Sequence, residues 1–111
     1  MIAFARWAAL GAVLLLSAGV SAQQAQTPAE QRRIQAFIAD AAKRLEPGEA
    51  MDALMAGPPE EHYRWGQEVC GELERGGDAD AIIGNLASFF GEDLSAALVG
   101  AATQVICPHV R

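Results

Sequence analysis

The nineteen residues from position 59 to position 77, PEEHYRWGQEVCGELERGG, decide the fold of this chain. A proline followed by two glutamates is typical of the first turn of a helix, and two closing glycines are typical of a helix end. Four residues between these signals recur at the spacing of one helix face: Gly66, Val69, Cys70 and Leu73. The stretch therefore predicts a helix from about Pro59 to Arg75, with Tyr63 and Trp65 flanking its buried face.

The sequence before this helix has the same helical spacing. Thr27 and Glu30 form the pattern of a capping box, with a proline between them at the first helical position. The apolar stripe that follows predicts an amphipathic helix: Ile34, Phe37, Ile38, Ala41, Ala42 and Leu45. A Glu-Pro-Gly turn at residues 46–48 ends that helix, and residues 51–55 are expected to form one or two loose turns.

Two further helices are predicted after the central one. The first begins near Asp78 or Ala79 and ends at Gly91, and the second begins near Glu92 or Asp93. No stretch alternates apolar and polar residues between hairpin turns, so no strand is predicted. The expected fold is all-α, a small antiparallel bundle of about four helices closed by one disulfide.

The N-terminus has the order of a secretory signal peptide. Residues 1–6 form a short, weakly positive head, and residues 8–20 form an apolar run without a charge. Val20 and Ala22 then place small residues at the −3 and −1 positions of a cleavage site. The alternative is a retained membrane anchor, for which the apolar run is shorter than the roughly 20 residues that span a bilayer.

Cleavage after Ala22 would direct the protein to the periplasm or the extracellular space. It would also divide the chain into three regions: a signal peptide (1–22), an N-terminal amphipathic helix with a Pro/Gly-rich connector (23–58), and a disulfide-linked helical core (59–111). We therefore expect a secreted or periplasmic protein with no stable membrane span after cleavage.

The chain has two cysteines, Cys70 and Cys107. Pro108 disfavours helical geometry in the residue before it, so the last helix is expected to end at about Val105 or Ile106 and to let Cys107 turn toward Cys70. In an oxidising compartment such a pair predicts one disulfide, which here closes a loop of 38 residues counting both cysteines. The alternative is two free buried thiols.

The composition limits the chemistry of the protein. A net charge of −6 argues against binding to nucleic acid or to anionic membranes, because both need a basic field. Once the cysteines are paired, His62 and His109 are too few to build a structural zinc cluster or a three-ligand catalytic site. A weak metal site formed by His62 and Glu61 is the alternative. No nucleophile elbow or phosphate-binding loop is present in the sequence. We therefore predict a protein that has no metal or cofactor and is not an enzyme, with haem capture through His62 or Tyr63 as a remote alternative.

Residues 65–76, WGQEVCGELERG, and the Cys-Pro pair at 107–108 resemble the family called domain of unknown function 732. Its members are small exported proteins, mainly actinobacterial. They have a G-x-x-V-C-x-x-L-x-x-G helix, a spacer and a last helix that ends in an aromatic-Cys-Pro tripeptide. The resemblance covers about residues 59–109, and Ile106 stands in place of the aromatic residue. It implies a disulfide-linked helical fold outside the cytoplasm and no assigned activity.

These expectations favour a small exported binding or interaction module of the cell envelope or the extracellular space. The candidate binding residues, if they are exposed, are Met51 and Met55 and the edge formed by Tyr63 and Trp65. The partner would be a protein or an apolar small molecule, and not a nucleic acid. The alternative is a purely structural protein of the envelope, in which the same side chains fill a dry core.

Overall fold

The computed structural model describes residues 26–110. Its five α-helices are α1 (Pro28–Lys43), α2 (Glu49–Ala56), α3 (Pro59–Glu74), α4 (Ala79–Phe90) and α5 (Glu92–Ala101). A π-helical segment, Ala102–Ile106, and a short 3-10 turn, Pro108–Val110, follow. No strand occurs in the described chain, and the prediction of an all-α fold is confirmed. The signal peptide predicted for residues 1–22 lies outside the described residues.

The region before α3 corrects one expectation. The sequence predicts loose turns at residues 51–55, whereas the structure has the eight-residue helix α2 there, so the described chain has five α-helices and not about four. Leu54 stabilises α2 because it is only 1% exposed and anchors one side of the helix in the core. Gly48 starts the helix with φ 152°, a conformation that favours glycine. The turn residues at both ends of α2 leave too short a segment for periodicity to identify.

Two of the predicted helix starts, those of α1 and α4, are formed by side-chain caps. Thr27 accepts a hydrogen bond through Oγ1 from the N–H of Glu30 at 3.1 Å, and this bond begins α1. Asp78 accepts one through Oδ2 from the N–H of Ala81 at 3.0 Å, and this bond begins α4. Both caps satisfy backbone donors that have no partner within the helix, which explains why each helix begins where the sequence indicates.

The Gly-Gly pair ends α3 with a Schellman motif. The N–H of Gly77 donates to the carbonyl of Glu72 at 2.9 Å, and the N–H of Gly76 donates to the carbonyl of Leu73 at 3.0 Å. Gly76 has φ 92°, a conformation that costs little only for glycine. The motif turns the chain sharply, so that α4 returns beside α3.

All five helices contribute to one apolar core, and α5 lies at its centre. Helix α5 packs against each of the other four helices, and six of its ten residues are buried: Leu94, Ser95, Ala97, Leu98, Val99 and Ala101. The other helices supply the remaining large apolar side chains of the core: Ile34, Phe37, Leu54, Tyr63, Val69 and Leu86. Among the described helices, none is both long enough and apolar enough to cross a membrane.

Helix α3 makes its closest contacts at Gly66. A β-carbon at this position would lie 2.8 Å from the ring of Phe37 in α1 and 2.8 Å from Cδ1 of Ile106 in the π-helical segment. Nearly one turn earlier, the ring of Tyr63 packs edge-on against Phe37, with centroids 5.7 Å apart. Gly66 therefore lets three elements approach one another at distances that no other residue permits.

The disulfide joins α3 to the end of the chain, about one turn after Gly66. Cys70 is bonded to Cys107, and their Cα atoms are 5.9 Å apart. Cys107 leaves the helical conformation, with φ −133°, directly before Pro108. Both the disulfide and the helical end at Ile106 are confirmed. By its chain-entropy effect on the unfolded state, a loop of this length stabilises the fold by about 3.5–4 kcal/mol.

Candidate binding groove

Three aromatic side chains form a cluster where α3 and α4 meet. The ring of Trp65 in α3 is 5.5 Å from that of Phe90 in α4, in an edge-on arrangement, and 6.3 Å from that of Phe89. The two phenylalanine rings are 6.5 Å apart. Each ring thus contacts the other two at distances typical of favourable aromatic pairs.

Phe89 is the most unusual member of this cluster because it is 74% exposed. Trp65 and Phe90 are half-buried. Leaving a phenylalanine in water forgoes the roughly 1.5–3 kcal/mol that its burial would contribute to stability. Phe89 is one of two large hydrophobic side chains that are exposed among residues 26–110, the other being Met55 at 58%.

A groove of about 270 Å³ runs from this cluster along the line between α3 and α4. Trp65 and Val69 line it from α3, and Ile82 and Leu86 line it from α4. We call the surface formed by these four residues together with Phe89 and Phe90 the aromatic groove. Three polar residues complete its lining: Glu68, Glu72 and Asn85.

The groove exists because α4 packs mainly on α5 and not on α3. A single residue, Gly91, connects α4 to α5, and the two helices share the most extensive helix–helix contact in the described chain. Trp65, early in α3, contacts the end of α4, while Gly77, just after α3, lies next to Ile82 near the start of α4. Helices α3 and α4 therefore run in opposite directions. Between their ends lies a groove in which Trp65 and Ile82 are half-buried, while Val69 and Leu86 are buried.

The rim of the groove carries a net negative charge. Glu72 is neutralised by Arg75, with Oε1 and Nη2 2.7 Å apart, and Arg64 lies 3.7 Å from Glu61. Glu68 lines the groove and forms no ion pair with the described part of the chain. Its carboxylate lies near Arg64 and Arg75 but pairs with neither, so it is the acidic group of the groove lining that makes no ion pair within residues 26–110.

The four predicted binding residues do not form one surface. Trp65 lines the groove, as its position beside the buried face of α3 suggested. Tyr63 is only 5% exposed and packs against Phe37, so the prediction that it forms part of a binding edge is corrected. Met51 is half-buried and Met55 exposed, but both lie on α2 and neither lines the groove. The exposed edge is narrower than the sequence indicated because α1 covers the Tyr63 side of α3.

The sequence interpretation missed Phe89 as a surface residue. Phe89 and Phe90 follow Leu86 at helical spacing, and this spacing predicts one buried stripe that contains all three residues. Leu86 is 7% exposed and Phe89 is 74% exposed, although they are separated by less than one turn. The proximity of Gly91, which ends the helix, was the one available signal that Phe89 lies beyond the packed part of α4.

His62 is a buried imidazole beside the aromatic cluster. It is 6% exposed, its ring packs 6.3 Å from that of Phe90, and among residues 26–110 neither ring nitrogen makes a hydrogen bond of good geometry. Burial lowers the pKa of His62 below its ordinary value of 6.5, although the carboxylate of Glu61 and the backbone of Leu54 oppose this shift. Water is excluded from the ring, and the neutral form is favoured.

The arrangement around His62 does not fit a haem or metal ligand. Its Nε2 faces Gly57 so closely that a β-carbon there would lie 2.5 Å from the nitrogen. Tyr63, the other residue considered for haem, packs into the core. Within the described chain, no three His, Cys, Asp or Glu side chains are grouped closely enough to hold a metal ion.

A larger cleft, of about 580 Å³, lies between the α1–α2 connection and α5. Charged side chains of both signs surround it: Arg44, Glu46, Glu49 and Asp93. Arg44 is already paired with Asp40 at 2.9 Å, and its guanidinium packs over Gly100. The cleft is therefore more polar than the aromatic groove, and no aromatic side chain lines it, which leaves the aromatic groove as the better candidate site.

Comparison with known proteins gave one match. A family model described as protein of unknown function (DUF732) matches residues 35–109. Comparisons with curated proteins and with solved structures gave no match. The matched range begins inside α1 and ends in the last turn, so it includes α2 and most of α1 in addition to the segment whose motifs carry the resemblance.

Proposed function

The chain belongs to the DUF732 family of proteins of unknown function, and from its structure we propose that it is a small exported binding module without enzymatic activity. The proposed contact surface is the aromatic groove. The observation that carries this proposal is the 74% exposure of Phe89 within a cluster of three aromatic rings. Solvent-exposed aromatic side chains beside an apolar groove are typical of surfaces that bind a partner.

Export is part of the same proposal. The signal-peptide pattern of residues 1–22 supports it, and a disulfide between Cys70 and Cys107 is typical of proteins that fold in oxidising compartments. We expect N-terminal sequencing of the exported protein to begin at Gln23. A cell-associated product that still contains Trp7 would contradict this.

The binding role can be tested with a neutral apolar dye. Nile red is suitable because an anionic dye would be repelled by the acidic protein. We expect Nile red fluorescence to rise with the exported protein and to lose most of that rise in Phe89→Ala, with far-UV circular dichroism unchanged. Met55→Ala is the matched control, since Met55 is the other exposed large hydrophobic residue of the described chain and lies on α2.

The alternative function is a purely structural protein of the envelope, and the closely packed, disulfide-linked core favours it. In that case the exported protein would not bind Nile red, or Phe89→Ala and Met55→Ala would reduce the signal equally. Either outcome would count against the binding module.

A further inference from the structure

We infer that the aromatic groove binds a basic amphipathic helix of a partner protein. This inference rests on the proposed binding function and adds the class of partner. It follows from three properties of the groove: its volume, its shape and the charge around it.

The volume of the groove favours side chains over a small molecule. Pockets that enclose drug-sized ligands measure about 300–1,000 Å³ and bury most of the ligand. The aromatic groove measures about 270 Å³ and is open along its length. It can therefore take a few apolar side chains of a segment that lies along it.

The shape of the groove matches a helix. Its wall on α3 extends over the eight residues from Trp65 to Glu72, a rise of about 10 Å along the helix. Two turns of a partner helix span the same length, so apolar anchors at i, i+3 or i+4, and i+7 would follow the groove. A helix laid between α3 and α4 would cover the half-buried Trp65 and Ile82 and, at the end of the groove, the exposed Phe89.

The charge around the groove selects a basic partner. Residues 59–106 contain nine acidic residues and two basic ones. Both basic residues, Arg64 and Arg75, form ion pairs with glutamates of α3. Glu68 is the carboxylate on the rim that has no such partner in the described chain. A helix with lysines or arginines flanking its apolar face would therefore be attracted, whereas an acidic helix would be repelled.

The test uses two designed peptides with the exported, oxidised protein. Both are two-heptad amphipathic helices with the same leucine face, and their polar positions are lysine in one and glutamate in the other. The exported form that starts at Gln23 contains Trp65 as its only tryptophan, so fluorescence reports binding at the groove itself. We expect the lysine peptide to shift the Trp65 emission to the blue and the glutamate peptide to leave it unchanged.

Two variants separate the apolar and the electrostatic parts of the interaction. Phe89→Ala should weaken binding of the lysine peptide by about tenfold, as expected for the loss of an aromatic side chain that the partner buries. Glu68→Lys should weaken binding of the lysine peptide by about fivefold or more and make that binding less dependent on salt. Glu46→Lys is the matched control, because it changes the net charge equally on the α1–α2 connection.

Several outcomes would overturn the inference. Equal binding of both peptides, or equal effects of Glu68→Lys and Glu46→Lys, would exclude a basic partner. A dimer in sedimentation that Phe89→Ala converts to monomer would assign the groove to a second copy of the chain. Binding to zwitterionic vesicles in place of the peptides would assign it to lipid. If Nile red binds at the groove but the lysine peptide does not, only the partner class is wrong; if neither binds, the proposed function also fails.

Discussion

Helix α3 contacts its neighbours in two different ways on its two sides. Toward α1 and the π-helical segment it packs so closely that Gly66 has no room for a methyl group, and Cys70 is covalently linked to Cys107. Toward α4 it leaves an open groove, with Trp65 only half-buried and with Phe89 exposed in the aromatic cluster at one end of the groove. The first side is closely packed within the fold, and the second is left partly open to solvent.

This difference shows what the motif that carries the family resemblance does in this chain. Its sharp positions in this chain are Gly66, Cys70 and Gly76, together with the Cys-Pro pair. The structure uses these positions for a close helix crossing, a disulfide and a Schellman turn. Each of these positions therefore has a structural role on the closed side of α3 or at a helix end. The candidate function lies on the other side, where the motif has no sharp position.

The largest effect should come from opening the disulfide on the closed side. The double variant Cys70→Ala, Cys107→Ala should lose about 3.5–4 kcal/mol of unfolding free energy, because the unfolded chain regains the entropy of a 38-residue loop. Urea denaturation of the variant and of the oxidised protein measures this loss. Reduced wild-type protein is the control and should resemble the variant. An unchanged urea midpoint after reduction would show that the packing of α3 does not depend on the bond.

A smaller effect is expected at the helix crossing. Gly66→Ala should destabilise the protein by about 1–3 kcal/mol, since the new methyl group would overlap Phe37 and Ile106. Gly84→Ala in α4 is the matched control: nothing lies within 4 Å of its β-carbon position, and it should stabilise the helix by about 0.5–1 kcal/mol. Equal effects of the two substitutions would mean that the crossing is not tight in solution.

His62 should make stability depend on pH. Its pKa in the folded protein lies below the ordinary value of 6.5, so the unfolded chain binds a proton more readily than the folded chain does. The unfolding free energy that depends on His62 is therefore fully present above about pH 6.5. It falls as the pH is lowered through 6.5 and levels off below the folded-state pKa.

The measurement is urea denaturation at several values between about pH 7.5 and pH 5.5, the range in which histidine titrates. His62→Leu should remove most of the pH dependence. His109→Gln, which removes the exposed histidine paired with Glu74, should retain it. If His109→Gln abolished the dependence and His62→Leu did not, the pH effect would belong to the chain end and not to the interior beside the groove.

Much of the fold could be predicted because local signals determine it. The caps at Thr27 and Asp78, the glycines after α3 and the proline after Cys107 each fix a helix end through the nearby backbone. Helix α2 was the exception. Its stability comes from burial of Leu54 in the core, a tertiary contact that an eight-residue segment between turns does not reveal.

The candidate site was predicted only in part because exposure depends on which helices meet. Trp65 was identified since it lies beside the buried face of α3. Tyr63 lies on the other side and is covered by Phe37 of α1, whose position the sequence does not supply. Phe89 has the spacing of a core residue. It is exposed because α4 packs against α5 and ends one residue after Phe89. Helical spacing shows on which face of a helix a side chain lies, but it does not show which element packs against that face.

The smallest stability effect should be found on the open side, at Phe89. Phe89→Ala should change the unfolding free energy by no more than about 0.5 kcal/mol, because a side chain that is 74% exposed gives up little burial when it is truncated. Phe37→Ala is the matched control on the closed side. Phe37 is fully buried, and its truncation should cost about 3–5 kcal/mol. Urea denaturation measures both changes.

Comparison of the Phe89→Ala and Phe37→Ala variants tests whether the two sides of α3 differ as the structure indicates. A cost above about 2 kcal/mol for Phe89→Ala would match truncation of a core side chain, and the aromatic groove would then be closed in solution. A cost near zero, together with loss of Nile red binding, would mean that Phe89 contributes to binding and not to folding. That combination is expected for a residue left exposed for a partner, since its burial energy is gained only on association.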